Sequence, residues 1–254
     1  HHPFVYNVAW KMVHDPNDAS DLTQETLIKV ITKLSQFKFN SSFRTWLYRI
    51  VVNEFLQTKR RKREEFFVSF EDHGEKLDSV PSEELNLEEE LEFDQLSREM
   101  QMRCMSGMIM CLNREQRLIY IIGDTFGIDH KLGAEIFDLS KQNFRIKLHR
   151  ARKDLYNYMN NKCGLVNKNN PCRCPKKTKA LIKRGALQKE KMEFNVNYTT
   201  RISDYVEGNY TDVADQVNEL YTQLFRDHKA KDNFNKDTLV TEILENEDLM
   251  KHFQ

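Results

Sequence analysis

No apolar run in this sequence of 254 residues reaches membrane-spanning length, and no secretory signal peptide is visible. The sequence also lacks net charge, because 39 basic residues balance 39 acidic ones. Only five cysteines are present, and this odd number, with three of them clustered, does not suit a disulfide framework. These absences argue against a secreted or membrane-inserted protein and favour a reducing cytoplasm.

The zero net charge hides two blocks of opposite sign. Residues 64–99 contain 14 acidic and 2 basic residues, whereas residues 141–189 contain 15 basic residues against Asp154 alone. The basic block predicts contact with a polyanion, and the acidic block predicts a solvated tether. With 31% charged and 39% hydrophobic residues, the chain suits small helical bundles better than one large core.

The basic block opens with DLSKQNFRIKLHRARKDLY, which predicts a helix that begins after Ser140. Phe144, Leu148 and Leu155 recur at helical spacing, and cations cover the opposite face. A shorter helix is predicted just upstream, at Lys131–Asp138. Two short helices at a tight corner, the second one basic, predict a helix-turn-helix that enters a DNA major groove. An ordinary surface helix with solvated charge is the alternative.

The first part of the chain predicts three helices, at residues 4–13, 18–37 and 43–62. Asp18 or Ser20 can cap the second of these helices. The third interleaves Trp46, Tyr48 and Phe55 with cations, as a platform for single-stranded nucleic acid would. Packing of Trp46 and Tyr48 in the core of a three-helix bundle is the alternative.

Two long stretches resemble bacterial sigma factors of the extracytoplasmic-function class. PNDASDLTQETLIKV followed by FRTWLYRIVVNEF is similar to the promoter-opening domain of that family. LNREQRLIYIIGDTFGIDHKLGAEIFDLSKQNFRIKLHRARKDL is similar to the family's second DNA-binding domain. Both stretches occur in the family's order, and together they cover residues 4–159.

The resemblance implies a role for each matching position. Polymerase binding falls on the polar face of the second helix, at Asp21, Gln24, Glu25 and Lys29. Capture of a flipped base of the minus-ten element, and phosphate binding beside it, fall on Phe39, Asn40, Ser41, Arg49, Asn53, Lys59, Arg60 and Arg61. Contact with the minus-thirty-five element falls on Lys141, Gln142, Asn143, Arg145, Ile146, Lys147 and Arg150. The acidic linker is expected to thread channels of the polymerase.

Beyond the two DNA-binding stretches, KCGLVNKNNPCRCPKKTK brings Cys163, Cys172 and Cys174 within a dozen residues. Three thiolates at this spacing could supply most of a tetrahedral zinc site, with His130, His149 or a distant residue as the fourth ligand. A turn with free thiols is the alternative, and no His–acid pair supports a nucleophilic cysteine. A subset of the sigma-factor family looks similar at this hook.

We therefore predict an all-α, non-enzymatic transcription initiation factor of the bacterial cytoplasm that binds core RNA polymerase, duplex promoter DNA and its melted strand. It requires no cofactor, and structural zinc at the hook is left open. An anti-sigma protein or a DNA-targeting recruiter could bind the C-terminal extension, whose helices are predicted at residues 210–226 and 238–253. The predicted segments are the promoter-opening domain, the acidic linker, the helix-turn-helix domain, the Cys-rich hook and the helical extension, at residues 1–65, 66–95, 96–160, 161–190 and 191–254. The alternatives are a stand-alone helix-turn-helix regulator and a metal- or redox-responsive switch centred on the hook.

Overall fold

The computed structural model describes residues 2–59, 62–66, 69–188 and 190. Within these residues the regular structure is helical, apart from one parallel bridge between Cys163 and Cys172. The all-α prediction is confirmed. The α-helices are α1 His2–Val13, α2 Pro16–Thr32, α3 Phe43–Gln57, α4 Lys62–Phe66, α5 Phe70–Asp78, α6 Leu87–Glu92, α7 Asp94–Met110, α8 Arg114–Tyr120, α9 His130–Phe137, α10 Lys141–Lys162 and α11 Cys174–Lys183. The helices predicted at 210–226 and 238–253 lie outside the described residues.

Helix α2 begins earlier than the sequence predicts. Asp15 is its N-cap, and the carboxylate accepts hydrogen bonds from the backbone N–H groups of Asn17 and Asp18 at 3.0 and 3.1 Å. The expectation of a cap at Asp18 or Ser20 is wrong because Pro16, lacking a backbone N–H, fits the first helical turn. Helices α2 and α3 also end earlier than predicted, at Thr32 and Gln57.

Helix α1 is almost fully enclosed and packs against α2, α3, α7 and α8. Trp10 and Met12 are among its largest fully buried side chains. The same hydrophobic core continues through Phe55 of α3, Met105 of α7 and Leu155 of α10. Met102 and Met108 of the methionine-rich helix α7 are buried in the same core. Helices α1 to α3 therefore share one core with α9 and α10 in this arrangement.

A buried ion-pair cluster closes the junction between α1, α4 and α8. The carboxylate of Glu64, which is 2% exposed, accepts hydrogen bonds from Arg114 and Arg117. Arg117 is 3% exposed and also donates to the carbonyl oxygens of Met12, Met110 and Leu112 at 2.7, 2.9 and 3.2 Å. One guanidinium thus satisfies buried acceptors from several separate elements.

The acidic linker is more ordered than its composition predicts, because it contains α5 and α6. An Asn86–Glu89 capping box starts α6, each side chain bonding the other residue's backbone N–H. Helix α11 then holds the linker by ion pairs, Lys179 to Glu89 at 2.7 Å and Lys176 to Glu84 at 2.5 Å. Part of the acidic block is therefore neutralised within the chain. In the described part of the chain, no helix has the length and apolar character needed to cross a membrane.

Candidate nucleic-acid interface

Helices α9 and α10 form a helix-turn-helix. Asp138 ends α9 in the left-handed region, at φ 54°, and the N–H of Leu139 bonds back to the carbonyl of Ala134 at 2.9 Å. Ser140 then caps α10, accepting a hydrogen bond from the N–H of Asn143 at 3.1 Å. The predicted cap at Ser140 is confirmed. Asp138, Leu139 and Ser140 therefore form the turn between the two helices and fix the direction of α10.

A glycine allows the two helices to approach closely. Phe144 is fully buried, and its ring lies over Gly133 of α9. A Cβ atom at position 133 would lie only 2.4 Å from the phenyl Cζ, well inside van der Waals contact. The small residue and the large one therefore lock the corner together, with Leu148 in the same cluster.

The face of α10 opposite this cluster carries the candidate minus-thirty-five residues. Six of the seven are exposed, namely Lys141, Gln142, Asn143, Arg145, Ile146 and Arg150. The seventh, Lys147, is half-buried, and its ammonium donates to Glu115 of α8 at 2.7 Å. The helix thus presents guanidinium and amide groups, which can read base edges, on a surface held by the α9–α10 corner.

The candidate minus-ten residues surround an aromatic loop between α2 and α3. Phe39 is 84% exposed and lies in the left-handed region at φ 57°, which is unusual for an aromatic residue. Its ring centroid is 4.6 Å from that of Phe37, which in turn packs near Phe43 and Trp46. The sequence prediction named Phe39 but missed this ring cluster, although its aromatics lie close together in FKFNSSFRTW.

The other candidates of this region have different surroundings. Asn53 and Lys59 are exposed, as is Asn40, whereas Ser41 is half-buried. Arg49 is exposed and lies 3.8 Å from the carboxylate of Asp138. Arg60 and Arg61 lie outside the described residues.

Tyr48 and Trp46 of α3 differ in burial. A position in the core was the alternative prediction for both residues. Tyr48 is 3% exposed and stacks on Phe4 of α1 at 3.8 Å, so its ring belongs to the core. Trp46 is half-buried and packs against that core from the aromatic loop. The core alternative is therefore correct for Tyr48 and only partly so for Trp46.

A groove of about 700 Å³ separates the two candidate surfaces. On one side it is lined by Asn40, Ser41 and Arg49. On the other side it is lined by Asp138 and Lys141. Residues predicted to read different promoter elements therefore face each other across one space.

The polar face of α2 points away from the core, as the sequence predicts. Asp21 and Glu25 are exposed and Gln24 is half-buried. Lys29 is exposed, but its ammonium is paired with Glu54 of α3 at 2.5 Å. Asp21 and Glu25 thus place exposed carboxylates on this face, and the Lys29 ammonium lies beside Glu54.

Comparisons with known proteins support this reading of the two regions. The sequence family described as sigma-70 region 2 matches residues 1–65. The extracytoplasmic-function RNA polymerase sigma factor SigE of Mycolicibacterium smegmatis is 29% identical over 155 residues, which are 61% of this chain and 57% of SigE. The chain is similar to RNA polymerase sigma factors of the extracytoplasmic-function class. The predicted resemblance is confirmed.

Other relatives match the chain to different extents. RNA polymerase sigma factor YlaC of Bacillus subtilis is 26% identical over 151 residues, 59% of this chain and 83% of YlaC. The sigma factor SigW of the same organism is 30% identical over 70 residues, so the chain spans 37% of SigW as against 57% of SigE. A solved structure of sigma factor RpoE in complex with the anti-sigma factor NepR, from Bartonella quintana, is 21% identical with a TM-score of 0.40 over 62% of this chain and 91% of that one.

The Cys-rich hook follows α10 directly. Cys163, Cys172 and Cys174 are half-buried and unpaired by disulfides, like Cys104 and Cys111 of the α7 region. Burial raises the pKa of the Cys104 and Cys174 thiols and raises that of Cys111 to about 12, so these groups are protonated at neutral pH and poor nucleophiles. Among the described residues, no three or more His, Cys, Asp or Glu side chains are arranged so that they could hold a metal ion as they stand.

A buried histidine near the hook predicts an acid-sensitive step in stability. His73 of α5 is 6% exposed, and its Nδ1 lies 2.6 Å from the Tyr158 hydroxyl. Burial lowers the pKa of His73 from 6.5 to about 4, with nearby Asp72 acting in the opposite direction and Lys76 in the same direction. Above pH 6.5 the imidazole is neutral in both the folded and the unfolded chain. Between pH 6.5 and 4 the unfolded chain binds the proton first, so stability falls as the pH falls.

We expect the free energy of unfolding to lose about 3 kcal/mol from His73 alone between pH 7 and pH 4. The measurement is urea unfolding of the wild type and of His73→Gln at both pH values. Carboxylates titrate alike in the two proteins, so the difference between them isolates the histidine. A difference that stays constant with pH would mean that His73 is readily protonated in the folded chain.

Proposed function

We propose that this chain is a transcription initiation factor that binds core RNA polymerase in the bacterial cytoplasm, reads two promoter elements and promotes DNA melting. Residues 1–65 form the promoter-opening module and residues 96–160 the upstream-reading module. The observation that carries the proposal is the match of residues 1–65 to sigma-70 region 2, followed along the chain by a helix-turn-helix. The chain itself makes and breaks no bonds, because the polymerase supplies the chemistry.

Helix α10 has the groups needed to recognise base pairs directly. Arginine can donate two hydrogen bonds to guanine O6 and N7, and asparagine or glutamine can pair with adenine N6 and N7. Arg145, Gln142 and Asn143 are exposed on the first turns of α10, the part of a recognition helix that contacts base edges. Arg150 and Lys141 are suited to backbone phosphates, which fix register but carry no sequence information.

The loop between α2 and α3 has the features needed to hold an extruded base. A flipped base requires flat or apolar walls for its faces and hydrogen-bonding groups for its Watson–Crick edge. The exposed ring of Phe39 supplies a stacking surface beside the packed rings of Phe37 and Phe43. Asn53 supplies both a donor and an acceptor. The cations Arg49 and Lys59 are placed to meet phosphates, a contribution that weakens as salt rises.

In this structure the candidate surfaces for the two promoter elements lie too close together to contact both elements at once. DNA rises about 3.4 Å per base pair, so elements about 25 base pairs apart are separated by about 85 Å. Residues that line the same groove cannot reach both elements at once. We therefore expect the α9–α10 corner to move away from α3 when polymerase and promoter are bound.

The function is tested at the strand-opening step with Asn53→Ala. Loss of a base contact worth about 1 kcal/mol is expected to slow open-complex formation at least about 5-fold, with little change in binding to duplex DNA. Formation of the open complex is followed by the reactivity of unpaired thymines, and duplex binding by a mobility shift with core polymerase. Gln57→Ala, an exposed amide one turn later on α3, is the matched control and should change neither quantity. Equal loss in both measurements would remove Asn53 from the base pocket.

A further inference from the structure

Four of the five thiols of the chain line one small cavity. Cys104 comes from α7 and Cys163 from the end of α10, whereas Cys172 lies in the isolated bridge with Cys163 and Cys174 is the first residue of α11. The cavity has a volume of about 20 Å³, close to the space that one water molecule needs and far too small for an organic ligand. The fourth thiol, Cys104, lies 59 positions before Cys163 in the sequence, so its spacing gives no hint that it belongs to the hook.

The hook is built to bring these thiols together. Gly164, next to Cys163, is required because a Cβ there would lie 2.1 Å from the carbonyl oxygen of Cys172. The amide of Asn170 then ties the loop down, donating to the carbonyl oxygens of Asn160 and Cys163 at 2.9 and 3.2 Å. The glycine and the asparagine therefore have a shared effect, which is to hold the segment of Cys172 against the end of α10.

We propose that Cys104, Cys163, Cys172 and Cys174 bind one Zn²⁺ ion. Four cysteine ligands in a tetrahedral arrangement are typical of structural zinc sites, and soft thiolates favour zinc over hard cations such as magnesium. The ion clamps the basic hook and α11 onto α7, and through α11 it fixes the linker residues that pair with Lys176 and Lys179.

The thiols are near one another but must turn to become ligands. A cysteine sulfur moves between staggered χ1 rotamers without any change in the backbone, so the cavity can close around an ion. A zinc ion with four thiolates carries two negative charges. Lys162, which lines the cavity, and Arg173 and Lys177, which flank the hook cysteines, are cations that can balance them. Zinc binding displaces the protons of the thiols, which burial otherwise retains.

Cys111 provides a matched control. Its Sγ is directed elsewhere, donating to the carbonyl oxygens of Ser69 and Gly107 at 3.2 and 3.3 Å. Cys111 is half-buried, as Cys104 is, and both come from the same methionine-rich stretch of the chain. Substitution of these two cysteines therefore separates metal binding from a general effect of losing a thiol near the core.

The test uses the full chain, purified with a thiol reductant and without chelator, together with Zn²⁺ and Co²⁺ as probes. We expect one zinc per chain by elemental analysis, and a Co²⁺ spectrum with the sulfur charge-transfer and intense visible bands of a tetrahedral four-thiolate site. Cys104→Ser should weaken zinc binding more than about 10-fold in competition with a chromophoric chelator, and Cys111→Ser should leave it unchanged. Cys104→His should restore one zinc per chain with a shifted Co²⁺ spectrum, which guards against misfolding of the serine variant.

Several results would overturn the proposal. A wild-type chain that takes up no zinc when the ion is added would exclude the site. Binding by Cys104→Ser with wild-type affinity and an unchanged Co²⁺ spectrum would remove Cys104 from the ligand set. A metal-free chain with three titratable thiols instead of five would point to a disulfide such as Cys163–Cys172 in place of a metal.

Discussion

Replacing Arg117 by alanine is expected to lower the free energy of unfolding by about 3–5 kcal/mol. The guanidinium is buried and bonds the carboxylate of Glu64 at 3.0 Å as well as three backbone carbonyl oxygens. Its loss leaves the buried carboxylate of Glu64 with Arg114 as its remaining cationic partner and removes a donor from three buried carbonyl oxygens, and both changes are costly. Urea unfolding followed by circular dichroism measures the change.

A less deeply buried arginine on α7, whose side chain is 21% exposed, is the control for this experiment. Arg98 forms an ion pair with Asp94 at 2.9 Å, one helical turn away, and side chains of such pairs keep access to water. Arg98→Ala should therefore cost no more than about 1 kcal/mol. If Arg117→Ala cost as little as Arg98→Ala, the cluster around Glu64 would not hold the junction between α1, α4 and α8.

The second large effect is expected at the corner of the helix-turn-helix. Phe144→Ala should destabilise the chain by about 3–5 kcal/mol, because it removes a fully buried ring and leaves a cavity against Gly133. The orientation of α10 depends on this contact, so specific DNA binding should weaken in parallel with stability. Thermal or urea unfolding and a binding titration with promoter DNA and core polymerase check the two outcomes.

Arg145, the next residue on α10, separates stability from recognition. Its side chain is exposed, so Arg145→Ala should change the free energy of unfolding by no more than about 0.5 kcal/mol. It should nevertheless relax discrimination at one upstream base pair by about 1–3 kcal/mol. Equal stability of Phe144→Ala and Arg145→Ala would show that the ring does not support the corner. Uniform loss of affinity for all sequences in Arg145→Ala would mean a phosphate contact instead.

Local features of the fold were predictable from the sequence because they depend on neighbouring residues. The cap at Ser140 and the apolar face of α10 follow from a few positions of known spacing. The buried methionines of α7 follow from an apolar run within a helix. The start of α2 was missed by a few residues because Asp18 and Ser20 are also suitable cap residues. Pro16 favours Asp15 over both, since proline fits the first turn of a helix.

Contacts between distant residues were not predictable in this way. Glu64 falls within an acidic block whose residues are expected to be solvated, yet its two arginine partners lie about fifty positions later. The grouping of Cys104 with the hook likewise depends on how α7 packs against α11. The local sequence pattern does not predict such contacts, because they form only when distant helices pack together.

The ion pairs between the two charge blocks were likewise not predictable from the sequence. Their opposite signs predicted a basic surface for nucleic acid and a free acidic tether. In the structure the two blocks partly pair with each other, as Lys179 does with Glu89 and Lys183 with Glu83. The cations of α11 are therefore already engaged within the chain, and those of α10 are the better candidates for phosphate contacts.

Transcription reconstituted from purified components tests the central claim most directly. The chain is added to core RNA polymerase that lacks any other initiation factor, with a library of promoter fragments, and the start sites of the RNA products are mapped. We expect RNA synthesis that depends on the chain, with start sites at a defined distance downstream of two shared sequence elements. If the chain bound duplex DNA in a sequence-specific manner but neither bound core polymerase nor supported any start, it would be a stand-alone regulator and the account would be wrong.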